Sequence, residues 1–351
     1  MTAMTTTIPL TLLTGFLGSG KTTLLNRLLR DPAMAGCAVL INEVGEIGLD
    51  HLLIERIDEE VVLLESGCLC CTVRGDLARA LRDLSLRHEQ GALARLDRVV
   101  VETTGLADPA PVIHTLMRDP WLAHRFRLDG VVATLDPRHA AWQLAQHPEA
   151  QRQIAMADRV VLTKCDIASA EELDLAAQQL DQLNPAAARF ESRLDGIPPG
   201  LLQGMAQYDP AQRGEAVLAW LGAARAAEVA RRRDVFGRAA PLAGPHDAAI
   251  ATHVLRFAAP FDRNAFFDAI DLLQQVVGER ILRLKGLVAI AGEPKPTVIH
   301  AVERERYPES TLPEWPDADH DTRLVFITRN LPRVSLEKAF VAMCGVAPRA
   351  D

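Results

Sequence analysis

The segment GFLGSGKT at residues 15–22 constrains the fold of this chain more than any other feature, because it matches the pattern G-x-x-x-x-G-K-[ST]. The apolar run Ile8–Leu13 precedes it as a predicted strand, and Thr23–Arg30 follows it as a predicted helix. In this order, backbone N–H groups of the loop and the positive end of the helix surround a phosphate. A loop that only connects a strand to a helix is the alternative. The complete pattern favours a nucleoside triphosphate site.

The residue types in and after this loop suit different parts of a nucleotide. Lys21 is predicted to reach the β- and γ-phosphates, and the Thr22 hydroxyl is predicted to bind Mg²⁺. The predicted strand Arg98–Val101 leads to Glu102, an acid that belongs beside the Mg²⁺, and the backbone N–H of Gly105 can approach the γ-phosphate. We therefore assign the catalytic roles to Lys21, Thr22 and Glu102. The predicted phosphate contacts are Gly15, Gly18, Ser19, Gly20, Lys21, Thr22, Thr23 and Gly105.

A second nucleotide signature follows the predicted strand Arg159–Leu162. The residues are Thr163, Lys164, Cys165 and Asp166, which are similar to the guanine-reading pattern N/T-K-x-D. An aspartate carboxylate accepts hydrogen bonds from guanine N1–H and the exocyclic amine together, which adenine cannot supply. The stem of Lys164 is expected to pack along the base. Thr163, Lys164 and Asp166 are therefore predicted to bind the base and to select GTP over ATP.

Three of the six cysteines, Cys68, Cys70 and Cys71, lie within four residues of one another. We expect them on a loop between the predicted strand Val61–Leu64 and a helix that begins near residue 75. Thiolates bind zinc at about 2.3 Å, and soft sulfur prefers Zn²⁺ or Cu(I) to Mg²⁺. Three ligands leave a fourth position open, which suits metal transfer better than a closed structural site. A redox pair formed by Cys70 and Cys71, or inert packing of small thiols, are the alternatives.

The segment NEVGEIGLD at residues 42–50 is polar, acidic and rich in glycine, and it follows the predicted strand Cys37–Ile41. In a P-loop protein this is the position of the first switch, the loop that senses the γ-phosphate. A plain surface loop explains the same composition equally well. Both interpretations stay open.

The order of predicted strands and helices indicates an α/β fold. We expect a P-loop domain with a doubly wound, mostly parallel sheet at residues 1–200, a linker with one helix at 201–248, and a smaller α+β domain with a mainly antiparallel sheet at 249–345. A chain of 351 residues is long enough for two such domains.

Charge and composition narrow the expected partners and compartment. The formal net charge of -8 argues against nucleic acid as the main partner. We see no secretory signal in residues 1–9 and no apolar stretch long enough to span a bilayer, so we expect no membrane association and a cytoplasmic location. Thiols stay reduced in the cytoplasm, which disfavours a disulfide framework.

Taken together, the motifs resemble the CobW-type P-loop GTPases, relatives of the GTPases that serve urease and hydrogenase nickel centres. The resemblance covers nearly the whole chain except the linker, and the glycine-cysteine-x-cysteine-cysteine element joined to a P-loop is its most specific part. The matching segments are residues 15–23, 42–50, 66–77, 102–109, 153–155, 163–166, 282–286 and 323–327. The chain departs from the family at Thr163, which occupies a place often held by asparagine.

The resemblance implies a GTPase whose metal site at Cys68, Cys70 and Cys71 is coupled to the nucleotide. The implied ligands are GTP, Mg²⁺ at Thr22, and Zn²⁺, with Co²⁺ as an alternative metal. Glu43 is a further candidate metal ligand. Members are regarded as metallochaperones or metal-insertion factors, so the implied partner is a metal-requiring client protein. The resemblance leaves the oligomeric state open, including a homo-oligomer.

Our lead hypothesis is a GTP-hydrolysing metallochaperone that delivers Zn²⁺ or a similar transition metal. The alternative is a GTP-regulated assembly or scaffold factor in which the cysteines hold a structural zinc. A third interpretation, a P-loop kinase, is disfavoured by the base-reading segment.

Overall fold

The computed structural model describes residues 7–42, 63–66, 73–192, 200–202, 205, 217–218, 221–222 and 250–349. Backbone contacts divide the chain into two compact units. The first comprises residues 1–140, 157–173 and 189–207, and the second comprises residues 141–156, 174–188 and 208–351. Within the described ranges, no helix is both long enough and apolar enough to cross a membrane.

A sheet of seven described strands occupies the first unit. The strands are β1 Ile8–Gly15, β2 Cys37–Asn42, β3 Leu63–Ser66, β4 Arg98–Glu102, β5 Phe126–Leu135, β6 Arg159–Leu162 and β7 Ala188–Glu191. Their order across the sheet is β3-β2-β4-β1-β5-β6-β7. Neighbouring strands from β3 to β6 run parallel. The central strands β1 and β4 consist largely of buried apolar residues, as parallel strands covered on both faces require.

Helices follow most of these strands. They are α1 Lys21–Leu28, α2 Val73–Glu89, α3 Ala110–Arg118, α4 Pro120–Arg125, α5 Pro137–Gln146, α6 Pro148–Met156 and α7 Ala170–Leu183. Leu24, Leu25 and Leu28 of α1 lie in one buried cluster with Val39 and Val100 of the sheet. This apolar contact fixes the position of the helix that directly follows the glycine-rich loop.

The register of the parallel strands aligns the points at which four chain segments leave the sheet. Ile41 of β2 pairs with Glu65 of β3 on one side and with Glu102 of β4 on the other. Glu102 pairs in turn with Leu13 of β1. Because parallel strands end at the same edge, the glycine-rich loop and the segments after β2, β3 and β4 all begin at this edge.

The second unit contains an antiparallel sheet in the order β11-β10-β9-β13-β8, with β12 paired to β10. Its further elements are β8 Ile250–Phe257, α8 Arg263–Val277, β9 Ile281–Val288, β10 Thr297–Val302, β11 Glu305–Arg306, β12 Ser310–Thr311, β13 Thr322–Arg329 and α9 Arg333–Cys344. Four fully buried phenylalanines fill the space between the sheet and these two helices, with ring centroids 5.0–6.1 Å apart where they meet; they are Phe257, Phe261, Phe266 and Phe340. Helix α6 also belongs to this unit.

The predicted fold class is confirmed: a P-loop α/β sheet is followed by an antiparallel α+β unit. Strand Arg159–Leu162 has the predicted bounds. The linker helix expected within residues 201–248 lies largely outside the described residues, and the domain limits at residues 200 and 249 stay a prediction.

Candidate functional site

The glycine-rich loop joins the end of β1 to the start of α1. Gly20 caps α1 with a φ of 87°, a left-handed conformation that glycine adopts without a Cβ penalty. Ser19 is fully buried, and its Oγ lies 2.6 Å from Thr134 Oγ1 on β5. The first N–H groups of α1 have no partner inside the helix, so this end is suited to an anion. Thr23, in the first turn of α1, is exposed.

Lys21 directly follows the glycines of the loop, and its side chain folds back onto the loop backbone. Its Nζ donates to the carbonyl oxygens of Gly15 at 3.0 Å and Phe16 at 3.3 Å, and only 9% of the residue is exposed. These contacts hold an ammonium group inside a ring of backbone. The arrangement places positive charge where the terminal phosphates of a nucleotide would lie in a P-loop.

The other two predicted catalytic residues are in direct contact. Thr22 Oγ1 donates to Glu102 Oε1 at 2.7 Å, and Glu102 is 4% exposed. Thr103, the next residue, is held on β1 because its N–H donates to Leu13 O at 2.9 Å and its hydroxyl to Thr14 Oγ1 at 2.9 Å. A hydroxyl and a carboxylate together form the oxygen donor set that Mg²⁺ prefers.

Gly105 packs directly on the glycine-rich loop. A Cβ built on Gly105 would lie 2.6 Å from the backbone N of Leu17, closer than any side chain tolerates. The position therefore requires glycine because two backbones approach each other there. Gly105 thus lies beside the glycine-rich loop at residues 15–20, which we also call the phosphate loop, although Gly105 is 83 residues beyond Thr22 in the chain.

The predicted base-reading segment also contacts the loop. Thr163 Oγ1 donates to Ser19 O at 2.7 Å, and Lys164 Nζ donates to Gly18 O at 2.8 Å. Lys164 has a φ of 54°, which is uncommon for a residue other than glycine. Asp166 lies exposed in the turn that follows. The structure thus brings Lys21, Thr22, Glu102, Gly105, Thr163 and Lys164 around a single loop.

Sequence reasoning did not identify two polar residues beside the loop, one on the neighbouring strand β5 and one directly after its last residue. Thr134 contacts Ser19, and Asp136 accepts a hydrogen bond from Lys164 Nζ at 2.8 Å. An acid at the end of a buried strand was the available signal for Asp136, because such ends carry the site in parallel sheets. Nothing in the sequence distinguishes Thr134 from other threonines.

The predicted transition-metal ligands Cys68, Cys70, Cys71 and Glu43 lie outside the described residues. Among the residues that are described, no group of three or more His, Cys, Asp or Glu side chains could hold a metal ion. Cys37 illustrates why a lone buried thiol is a poor ligand. Burial raises its pKa to about 12, although Arg98 and a backbone hydrogen bond act in the opposite direction.

Comparisons with known proteins agree with this geometry. Residues 9–191 match the model of the CobW/HypB/UreG nucleotide-binding domain, and residues 250–344 match the cobalamin synthesis protein CobW C-terminal domain. The chain is 33% identical over 339 residues to the zinc chaperone YjiA of Escherichia coli, covering 96% of this chain and 98% of that protein.

Two further relatives are informative. The chain is 38% identical over 200 residues to the zinc-regulated GTPase metalloprotein activator 1 of Schizosaccharomyces pombe, covering 54% of this chain and 47% of that protein. The crystal structure of Zn(II)-bound YjiA GTPase from E. coli superposes with a TM-score of 0.69 at 28% identity, covering 96% of this chain and 99% of that one. The chain therefore belongs to the CobW/HypB/UreG family, as a CobW-type P-loop GTPase with the CobW C-terminal domain.

Proposed function

We propose that this GTPase is a metallochaperone that binds Zn²⁺, or a similar transition metal, at Cys68, Cys70 and Cys71 and transfers it to a client protein. Its similarity over nearly its whole length to a protein named as a zinc chaperone supports this function. The metal is cargo in this proposal, and GTP hydrolysis controls when it is held and when it is released.

The observation that carries the proposal is the register of β2, β3 and β4. Ile41, Glu65 and Glu102 form one row across the sheet. Glu102 contacts Thr22 at the predicted Mg²⁺ position. The cysteine-bearing segment 66–77 begins one residue beyond Glu65, and segment 42–50 begins one residue beyond Ile41. Both segments therefore start at the edge that carries the nucleotide site, which supports coupling between nucleotide and metal.

Within the nucleotide site, we assign each residue a role by its contacts. Lys21 exchanges its bonds to Gly15 O and Phe16 O for phosphate oxygens and neutralises charge on them during hydrolysis. Backbone N–H groups at the start of α1 bind the phosphates. Lys164 and Asp166 bind guanine, and Thr163 holds their segment against Ser19 O.

Thr22 and Glu102 fit the role of Mg²⁺ ligands. Thr22 Oγ1 and Glu102 Oε1 lie 2.7 Å apart at the N-terminal end of α1. Hard oxygen donors of this kind suit Mg²⁺. When bound, the ion would neutralise charge that develops between the β- and γ-phosphates. The carboxylate of Glu102 would contribute an oxygen ligand to the ion and would orient the Thr22 hydroxyl.

Coupling between the two sites must be reciprocal. If GTP tightens metal binding at the cysteines by some factor, the metal tightens GTP binding by the same factor. We therefore test the proposal by competitive Zn²⁺ and Co²⁺ titration of the reduced protein with GTP and Mg²⁺, with GDP and Mg²⁺, and without nucleotide. The affinity for Co²⁺, measured from the thiolate-to-Co²⁺ absorption band, should increase tenfold or more with GTP. Equal affinity in the GTP and GDP states would contradict the coupling.

The control variants use cysteines inside and outside the cluster. Replacement of Cys68, Cys70 and Cys71 by serine should abolish the absorption, whereas Cys344→Ser should keep it, because Cys344 is a partly buried thiol of α9 that donates to Ala265 O. Metal removal separates the proposal from the scaffold alternative. A structural zinc would stabilise the fold, so its loss would lower the unfolding temperature, while a transfer site leaves a stable apoprotein.

A further inference from the structure

Asp136 lies at the end of β5, directly before α5, and its side chain is 1% exposed. Three donors surround it. Oδ2 accepts from Lys164 Nζ at 2.8 Å and from His139 Nδ1 at 3.1 Å, and Oδ1 accepts from Arg138 N at 3.1 Å. Burial alone would raise the pKa of this carboxyl, but the bonds from Lys164 and His139 outweigh it and lower the pKa. Asp136 is therefore an ionised carboxylate held in one orientation.

Lys164 joins this carboxylate to the phosphate loop. The same Nζ that contacts Asp136 also donates to Gly18 O at 2.8 Å. A lysine side chain loses rotamer entropy when it is fixed in one conformation. The backbone of Lys164 is in a left-handed conformation, with φ 54°, which is unfavourable for a side chain with a Cβ. Both costs require strong contacts, and charge-assisted bonds to a carboxylate supply them.

We infer that Asp136 is a positioning residue for nucleotide binding, which fixes Lys164 across the phosphate loop before the guanine base arrives. This inference rests on the proposed role of Lys164 in base binding. Asp136 acts through its contact with Lys164 and not by contact with the nucleotide. Because Asp136 already orders Lys164 in the free protein, nucleotide binding carries a smaller entropy cost. This preorganisation increases the affinity for GTP.

A double-mutant cycle on the full-length protein tests this pathway, with the dissociation constant of a fluorescent GTP analogue as the readout. We expect Asp136→Asn to weaken binding about tenfold, since a neutral amide holds the ammonium less strongly. Lys164→Met should weaken it at least as much. In the double variant, Asp136→Asn should have no additional effect, because its only route to the nucleotide is already absent.

Other variants keep the test decisive. Asp129→Asn is the matched control, because Asp129 is also buried on β5 and pairs with a cation, Arg98 Nη1 at 3.3 Å, within the strand rather than at its carboxyl end. It should bind the analogue normally. Asp136→Glu keeps the charge and should recover part of the affinity, which covers the case in which Asp136→Asn fails to fold.

The outcomes separate the inference from the function on which it rests. Additive effects of Asp136→Asn and Lys164→Met would overturn the inference and leave base binding by Lys164 intact. Unchanged binding in Lys164→Met alone would overturn the proposed role of Lys164, and the inference with it. A loss of affinity in Asp129→Asn equal to that in Asp136→Asn would assign both effects to general destabilisation and overturn the inference.

Discussion

At the scale of single residues, Gly105 packs so closely on the glycine-rich loop that no side chain fits there. We predict that Gly105→Ala lowers kcat/KM for GTP by tenfold or more, because the new Cβ would lie 2.6 Å from Leu17 N and must displace the phosphate loop. Displacement of about 1 Å in a catalytic site commonly costs a hundredfold in rate. Phosphate release at increasing GTP concentrations measures the effect.

Gly286→Ala provides the matched control for this substitution. A Cβ at Gly286 would lie 2.4 Å from Leu324 Cδ2, so it overpacks the sheet of the second unit instead of the phosphate loop. We expect a lower unfolding temperature with GTP hydrolysis retained. A similar loss of activity in both variants would mean that overpacking alone explains the effect of Gly105→Ala.

Cys37 gives a pH dependence whose sign follows from burial. Its pKa is raised from 9.0 to about 12 in the folded protein, mainly because burial disfavours the charged thiolate. The unfolded chain therefore loses this proton at lower pH than the folded chain does. The stabilising contribution is complete below pH 9 and falls by about 1.4 kcal/mol per pH unit as the pH rises from 9 towards 12.

Comparison with Cys37→Ala isolates this single group. The difference in unfolding free energy between the two proteins should be constant from pH 7 to about 8.5 and should shrink as the pH rises above 9. Equilibrium denaturation at each pH measures it, and tyrosine and lysine titration cancel in the difference. A difference that does not change with pH would contradict the assigned pKa.

At the scale of one element, helix α7 begins with a reciprocal cap. Ser169 N donates to Glu172 Oε2 at 2.8 Å, and Glu172 N donates to Ser169 Oγ at 3.2 Å. The spacing S-x-x-E at the start of a helix is typical of this capping box. We predict that Ser169→Ala destabilises the first turn by about 1 kcal/mol, so that its amides exchange hydrogen about fivefold faster.

Glu172→Gln tests whether hydrogen bonding or charge stabilises this turn. The amide of glutamine can still accept from Ser169 N, so we expect exchange close to that of the unmodified protein. Exchange as fast as in Ser169→Ala would show that charge near the helix N-terminus, not the cap geometry, is the stabilising factor.

At the scale of the whole molecule, α6 is held by residues far along the chain within the second unit. Arg152 Nη2 lies 2.6 Å from Glu303 Oε1, and the guanidinium of Arg283 donates to Met156 O. Asn184 Nδ2 also donates to Ile154 O at 2.8 Å. The side chain of Glu303 is only 5% exposed, so removal of its arginine partner leaves a buried charge without that compensation.

We therefore predict that Arg152→Met destabilises the packing of α6 by about 3 kcal/mol. Hydrogen exchange of residues 148–156 should become on the order of a hundredfold faster. Arg304→Met is the control, because the Arg304–Glu279 pair at 3.1 Å is exposed on both sides and exposed pairs contribute less than about 1 kcal/mol. Equal effects of the two variants would contradict the importance of burial.

The sequence by itself determined the features that depend on short-range geometry. The pattern at residues 15–22 has its phosphate-binding shape because glycines, a lysine and a helix start are adjacent in the chain. The apolar runs of β1, β4 and β6 identified parallel strands for the same reason, and their shared edge placed Glu102 and Thr163 near the loop. The capping box of α7 was equally local.

Only the tertiary structure decided which distant residues meet. Asp136 and Lys164 are 28 residues apart, and Gly18 and Lys164 are 146 residues apart, so their contacts depend on strand order and register. The same holds for Arg152 and Glu303, and for the inclusion of α6 in the second unit. Local sequence specifies what each segment can do, whereas the crossovers of the parallel sheet specify which segments act together.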